Sequence, residues 1–349
     1  MLKGTLHHEV HELHKKYGPV VRIAPNELSY IDAQAWKDIY LSRPGHTPIP
    51  KNPTWNKQAS TGIFSLDENL HAQSRRALNP SFTAKSIDER SPLIEEYVNL
   101  MIAKLKEQIA VGSGRAVINI IDWFDFITFD LLGEFAFSES FDCVKSGKAH
   151  PWVSITLGFA KSLGLMASVN FFSPLDKLFE YIIPKDVLRK AEYHKELTNK
   201  KIQQRIEKSE SAATSDYIGI ITEFFSKKGV TMSADDLTND MVAIVVAGSD
   251  TTSTTLSATM SFLLQEKNAR VLHKLVGEIR SSFENEEQIT VSSASKLEYL
   301  IAVIKEGLRL APQASMGIPR TMPDKGDTIC DQWVPGGVSV HLCKPAKEP

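Results

Sequence analysis

Apolar residues recur at helical spacing along most of the chain, while strand-like patterns are confined to stretches near its two ends. Val20 to Tyr30 reads as two short strands around a Pro25-Asn26 turn. Near the other end, Thr328 to Cys330 and Val338 to Leu342 flank Pro335-Gly336-Gly337 and read as a hairpin-like pair. Between them helices dominate. Ser91-Pro92 reads as the start of a helix over 92–110, with Ile94, Val98, Met101 and Leu105 on one apolar stripe. Helical patterns also cover 185–208 and 268–283. The first carries Lys195, Lys200, Lys201 and Arg205, a charge run that reads as a solvated face. A further helix over Leu297 to Leu310 places Leu297, Leu300, Ile304 and Leu308 on its apolar stripe. The polar stretch 209–217 reads as an exposed loop. Segment 167–184 is apolar but interrupted by Pro174 and Pro184. It suits a lid over a pocket, a membrane-dipping patch or a plain cover for the core. The expected fold class is mainly α with small β-sheets.

The most informative helix runs from Ser233 to Gln265. Ser233 and Asp236 stand three apart, as a capping pair requires. The helix is apolar from Met241 to Ala247 and again around Phe262, but its middle reads Gly248-Ser249-Asp250-Thr251-Thr252-Ser253-Thr254-Thr255. These are mediocre helix formers whose side chains compete for backbone hydrogen bonds, so a kink or bulge is expected there. An acid followed by a hydroxyl at such a turn, beside Val246 and Ala247, can pass protons into an otherwise dry pocket. The same pattern also fits an exposed hydroxyl face or a break between two ordinary helices.

Composition narrows the class without naming it. With 349 residues, 42% hydrophobic and 23% charged, and a formal net charge of -2, the chain is an ordinary globular protein. It has no cationic footprint for nucleic acid. Three cysteines, Cys143, Cys330 and Cys343, support neither a disulfide framework nor a zinc site and point to a reducing compartment. The longest apolar run is too short to cross a bilayer, which suggests a soluble or at most peripheral protein. His7, His11 and His14 share a helix face that metal chelation or plain solvation could explain. No metal site is assigned to them. Gly112 to Arg115 lacks the spacing of a phosphate-binding loop.

Four motifs occur in one order. Ala247-Gly248-Ser249-Asp250-Thr251-Thr252 resembles the oxygen-activation motif of the cytochrome P450 family, A/G-G-x-D/E-T-T. Glu306-Gly307-Leu308-Arg309 resembles the family's E-x-x-R; taken alone it is a weak surface pair. His71 to Phe82, a short helix closed by Pro80, resembles the helix that holds the haem propionates. Gly317-Ile318-Pro319-Arg320-Thr321 resembles the strand that supplies another propionate-binding arginine. Lys16 to Ile23 is similar to the family's first helix-to-strand passage, closest to filamentous-fungal secondary-metabolism members.

The resemblance covers residues 10–342 and implies a single P450-like domain over 1–349. It also implies haem as cofactor, a small apolar substrate and an NADPH-dependent reductase as partner. By the same resemblance Asp250 and Thr251 deliver protons, His71, Arg75 and Arg320 hold the propionates, and Glu306 and Arg309 form a structural pair. Val246 and Ala247 would shape the substrate pocket with 47–66 and 313–318. The expected location is the cytoplasm or the surface of the endoplasmic reticulum membrane.

The family's F-x-x-G-x-R-x-C-x-G loop, whose thiolate binds iron and promotes oxygen–oxygen cleavage, has no counterpart in these residues. The domain is therefore expected to be incomplete at its C-terminal side, with haem binding in doubt. Cys330, read as part of a strand, and Cys343, read as part of a departing tail, are poor substitutes. If buried without the partners that this region provides, Glu306 and Arg309 would be a liability of about 3–5 kcal/mol. Two readings stand: a haem-dependent monooxygenase of secondary-metabolite biosynthesis, inactive or incomplete as it stands, and a non-catalytic ligand- or partner-binding relative of that fold.

Overall fold

The computed structural model describes residues 5–56, 63, 68–153, 168, 185–207, 216–227, 233–313 and 317–343. The expected lid at 167–184 and most of the loop at 209–217 lie outside these residues; Asp216 and Tyr217, at that loop's end, are buried. Contacts divide the chain into two compact units, one of residues 1–60, 161–183 and 309–349 and one of residues 61–160 and 184–308.

Unit one contains α1 (Leu6–Tyr17), β1 (Val20–Ala24), β2 (Glu27–Tyr30), α2 (Ala33–Tyr40), α3 (Pro53–Asn56), β3 (Arg320–Thr321), β4 (Asp327–Ile329), β5 (Gln332–Val334) and β6 (Ser339–Leu342). Four strands form a sheet in the order β1-β2-β6-β3. β1 and β2 are the expected antiparallel pair, β6 joins β2 in parallel with Tyr30 opposite Leu342, and β3 closes the other edge. The expected hairpin is corrected: β4 pairs with β5, and Cys330 and Asp331 sit in the left-handed region at the turn between them. Pro335-Gly336-Gly337 carries the chain on into β6 instead. Cys330 is thus a turn residue and not part of a strand. Cys343 is also corrected, since it is fully buried and its N–H donates to Tyr30 O at 2.7 Å, extending the sheet. His14 is buried too. Its Nδ1–H donates to Gly18 O at 2.8 Å and its Nε2 accepts from Ser29 Oγ at 2.9 Å, so this histidine ties α1 to the sheet. Burial holds its pKa below the usual value.

Unit two is helical. It holds α4 (Glu68–Leu78), α5 (Ala84–Val111), α6 (Ile120–Phe137), α7 (Cys143–Ser146), α8 (Lys185–Glu207), α9 (Tyr217–Lys227), α10 (Ala234–Leu263), α11 (Ala269–Ser282), α12 (Val291–Ala294) and most of α13 (Glu298–Leu310). α6 is apolar on nearly every side and lies at the centre, packed most extensively on α10. Gly133 lets the chain after α6 fold back closely, because a Cβ there would stand 2.6 Å from Glu139 O. The buried Asp130 carboxylate then accepts N–H bonds from Phe141, Cys143 and Val144 and fixes that return.

Helix ends and faces differ from expectation in three places. α5 starts at Ala84, where Thr83 Oγ1 accepts from Ser86 N, so Ser91-Pro92 is interior and not a start. A proline there removes a helix bond and normally kinks or ends the helix. Arg90 braces the preceding turns by donating to Ser81 O at 2.9 Å and by lying over the Phe135 and Tyr217 rings. Val98, expected on the α5 stripe, is exposed. On α13 the buried seam runs through Val303 and Gly307 rather than Ile304 and Leu308, which are exposed. Gly307 decides this face, since a Cβ there would stand 2.1 Å from Thr259 Oγ1 on α10. Glu278 on α11 caps α13 by accepting from Tyr299 N and Leu300 N. Finally, the charge run on α8 is only half solvated: Lys201 pairs with Glu139 at 2.7 Å, and Arg205 is buried against Asp216.

Candidate active site

The long helix α10 carries the hydroxyl-rich stretch. Ser233 caps its start, accepting from Asp236 N at 3.0 Å and donating to Asp236 Oδ2 at 2.6 Å. The helix remains α-helical through the expected weak point. Ser249, Thr251, Thr252, Thr255 and Thr259 each donate their hydroxyl hydrogen to the carbonyl four residues earlier, between 2.7 and 3.0 Å. Back-bonding therefore absorbs the competition that sequence alone reads as an opening of the helix.

The stretch presents two kinds of surface. Ser249 and Ser253 are buried, and Ser253 Oγ donates to Asp125 on α6. Gly248 also meets α6: a Cβ there would lie 3.1 Å from Leu132 Cδ1. Thr251 and Thr252 are exposed, while Ala247 and Asp250 are half-buried. Successive helix residues turn by about 100°, so Asp250 stands between the buried Ser253 side and the open Thr251 side. Val246 lies on the same helix, with its side chain outside the described residues.

α4, in the same unit, carries two further candidates. His71 is half-buried and Arg75 exposed, one turn apart. Ser74 between them is buried and donates to the Asp240 carboxylate on α10, which also accepts from Ile63 N. Asp240 is 2% exposed. It therefore fastens the helix bearing His71 and Arg75 to the helix bearing Asp250 and Thr251. Burial, only partly offset by these two hydrogen bonds, pushes its pKa up to about 6.

The sign of the consequence is fixed. A carboxyl whose pKa is raised on folding penalises the fold above that pKa, and the penalty fades as pH falls toward the unfolded value near 4. Asp240→Asn keeps an acceptor for both donors but removes the charge. It is expected to stabilise the protein by on the order of 1–3 kcal/mol at pH 7.5. That gain should vanish by about pH 4, as urea unfolding at several pH values would show. A gain that is independent of pH would refute the assignment.

The remaining expected residues lie elsewhere. Glu306 and Arg309 are exposed on α13, so the pair does not carry the cost of buried charge. Arg320 is half-buried on β3 in unit one, where its Nη1 donates to Ile49 O at 3.4 Å and its guanidinium lies 5.7 Å from the centre of the Tyr40 ring. Of the haem-binding candidates, the structure brings His71 and Arg75 together, while Arg320 belongs to the other unit. Sequence reasoning missed Ser74, Asp125, Asp240 and Ser253. An acid inside an apolar helix, such as Asp125 between Phe124 and Phe126, was the available signal. Among the described residues no three histidine, cysteine or acidic side chains are grouped to hold a metal ion. None of their helices is long and apolar enough to cross a membrane.

Comparison with known proteins settles what the motif order suggested, because residues 1–345 match the cytochrome P450 family. The chain belongs to that family. It is 35% identical over 98% of its length to a cytochrome P450 monooxygenase of Stereocaulon alpinum, of which it covers 67%. It is 36% identical to the averantin hydroxylase of Dothistroma septosporum, covering 98% of this chain and 63% of the relative. It is 34% identical to the trichothecene C-15 hydroxylase of Fusarium sporotrichioides, covering 98% and 68%. These relatives are fungal monooxygenases and hydroxylases of secondary metabolism. The chain spans about two thirds of the length of the curated relatives it matches.

Haem is the cofactor of this P450 family, and the donor set fits part of it. His71 and Arg75 offer paired donors suited to carboxylates, and the Thr251 side of α10 is open. A thiolate ligand has to present its sulfur to the iron, which itself lowers the thiol pKa. Cys143 and Cys343 are fully buried; burial pushes the Cys143 thiol up to about 12 and raises that of Cys343. Burial, then the nearby Asp32, Asp38 and Asp331 carboxylates, raise Cys330 as well. His71 and Arg75 have the chemistry to meet haem carboxylates, while the three cysteines lie in a helical core, at a tight turn and at the end of a sheet strand.

Proposed function

We propose that this chain provides the oxygen-side and propionate-binding residues of a haem-dependent monooxygenase that hydroxylates or epoxidises a small apolar metabolite. Its electrons would come from an NADPH-dependent reductase, in the cytoplasm or at the surface of the endoplasmic reticulum membrane. The observation that supports this reading is that the helix bearing His71 and Arg75 and the helix bearing Asp250 and Thr251 lie in one unit and are tied by Ser74 and Asp240.

Haem, when bound, supplies oxygen activation and insertion. The protein's part is positional and protonic. His71 and Arg75 anchor the carboxylates, with Arg320 as a further donor. Glu306 and Arg309 form a structural pair on α13. Val246 and Ala247, both apolar, would line the substrate side. The Thr251 hydroxyl rests on Ala247 O at 2.7 Å and is released by rotation about a single bond, free to pass a proton on from Asp250. This reading takes the iron's thiolate from outside residues 1–349. A second reading has the chain binding a ligand or partner without oxidising it.

The reduced carbon-monoxide difference spectrum separates the two readings. The 349-residue chain, expressed with a haem precursor, is expected to hold haem without the long-wavelength thiolate band. Joined to the thiolate-bearing segment of a relative, it should gain both the band and NADPH-dependent turnover. Thr251→Ala in that chimera is then expected to cut product formation on the order of 10–100-fold, with substrate binding little changed. No haem uptake in either form would leave the second reading standing.

A further inference from the structure

Asp125 is an acid in an otherwise apolar stretch of α6, and the mechanism above does not use it. It is half-buried, and its carboxylate accepts the Ser253 hydroxyl of α10 across the most extensive helix contact of unit two. Ser253 follows Asp250 by three residues and shares its side of α10. One turn earlier on α6 stands Asp122, which is exposed. Asp122 and Asp250 are the charged groups that act on Asp125, from its own helix and from α10 respectively. The three carboxyls and one hydroxyl therefore step from solvent to the centre of α10.

We propose that Asp125, with Ser253, is the relay that reloads Asp250 with protons from solvent, a role that rests on the monooxygenase reading. A proton taken up on the Asp122 side protonates the Asp125 carboxylate. Asp125 then donates it to Ser253 Oγ as Ser253 releases its own hydroxyl proton toward Asp250. Each cycle takes one proton from solvent and gives one to Asp250, and no electrons move. Protonation of Asp125 frees the Ser253 hydroxyl to turn toward Asp250 before the transfer, and the proton that Ser253 then receives already lies on the Asp125 side, which restores the starting arrangement. Burial first, and then the charges of Asp250 and Asp122, hold the Asp125 carboxyl above its usual range despite the Ser253 hydrogen bond. A group so placed keeps a proton at pH values where surface carboxylates have lost theirs.

A merely structural hydrogen bond between helices shares the titration shifts of the first test below but not the kinetic effects of the second. The first test follows the carboxyl stretch of Asp125 by infrared titration in the full chain, with Asp125→Asn identifying its band. Asp250→Asn should move the Asp125 midpoint down by removing a like charge, and Ser253→Ala should move it up by removing the donor. No change in either variant overturns the relay. The second test uses the haem-loaded chimera that carries the thiolate-bearing segment. Asp125→Asn should slow product formation about tenfold and enlarge the solvent deuterium isotope effect, at unchanged KM, with Asp125→Glu restoring most of the rate. If the chimera with Asp125 intact turns over and Asp125→Asn alters neither rate nor isotope effect, the relay fails alone. If the chimera with Asp125 intact shows the thiolate band and still does not turn over, the monooxygenase reading fails and takes the relay with it.

Discussion

Trp152→Ala is expected to lower the thermal midpoint of the protein by roughly 10 °C, corresponding to about 3–5 kcal/mol. Trp152 is completely buried among the rings of Phe129, Phe137 and Phe141, with edge-on contacts to Phe129 and Phe141 at centroid separations of 6.1 and 5.2 Å. Its Nε1 donates to His194 Nδ1. Alanine leaves a cavity that the flanking helices cannot fully close, and it removes the donor from a histidine that burial holds near pKa 4. The neutral, acceptor form of His194 then faces the hole. Circular dichroism on heating checks this, and a shift of only a degree or two would show that the aromatic cluster relaxes into the space. Trp152→Phe keeps most of the volume and should recover more than half of the loss.

A comparable loss is expected from Asp216→Ala, for an electrostatic reason. The Arg205 and Asp216 side chains are 4% and 1% exposed. Asp216 accepts from Arg205 Nε, from Ser138 Oγ at 2.7 Å and from Gly219 N at 2.8 Å. It therefore joins α8 to the start of α9 and to the end of α6. Removing the acid strands a buried guanidinium, at a cost of about 3–5 kcal/mol. Replacing both partners together, Arg205→Met with Asp216→Leu, removes both desolvation penalties, and most of the stability should return. Urea melts of the single and double variants decide the matter. A double variant as weak as the single one would mean that the hydrogen bonds to Ser138 and Gly219, and not the charge, carry the interaction.

Much of this architecture could be read from local chemistry. The Ser233 cap and the apolar flanks of α10 announce a long helix, and Val20 to Tyr30 announces a strand pair, because each depends on neighbours a few residues away. What escaped depends on distant partners. Pro92 reads as a helix start until Arg90 is seen to reach Ser81 and two rings that anchor the turns before it. Ile304 and Leu308 read as core until Gly307 is seen to admit Thr259, which turns that side of α13 inward. Arg205 reads as solvated until Asp216 lies against it.

The site divides in the same way. Asp250, Thr251, His71 and Arg75 were recognisable through motifs, although spacing alone left an exposed hydroxyl face equally open. Asp125 and Asp240 belong to no motif. Their importance comes from Ser253 and Ser74, each more than a hundred residues away along the chain. Periodicity shows that an acid interrupts an apolar face, but only the tertiary structure shows what receives it.

The parallel pairing of β2 with β6 also sets an order of events during synthesis. Glu27 to Tyr30 must wait for Ser339 to Leu342 before that edge is covered. At about 5–20 residues per second, the strand emerges from the ribosome roughly 15–60 s before its neighbour exists. Over that interval the nascent β1-β2 ribbon presents an open edge, the kind of surface on which chains aggregate. Translation pauses between the codons for Tyr30 and Ser339, or loss of chaperone cover for the β1-β2 ribbon, should therefore reduce yield far more than equal delays before Val20 is made.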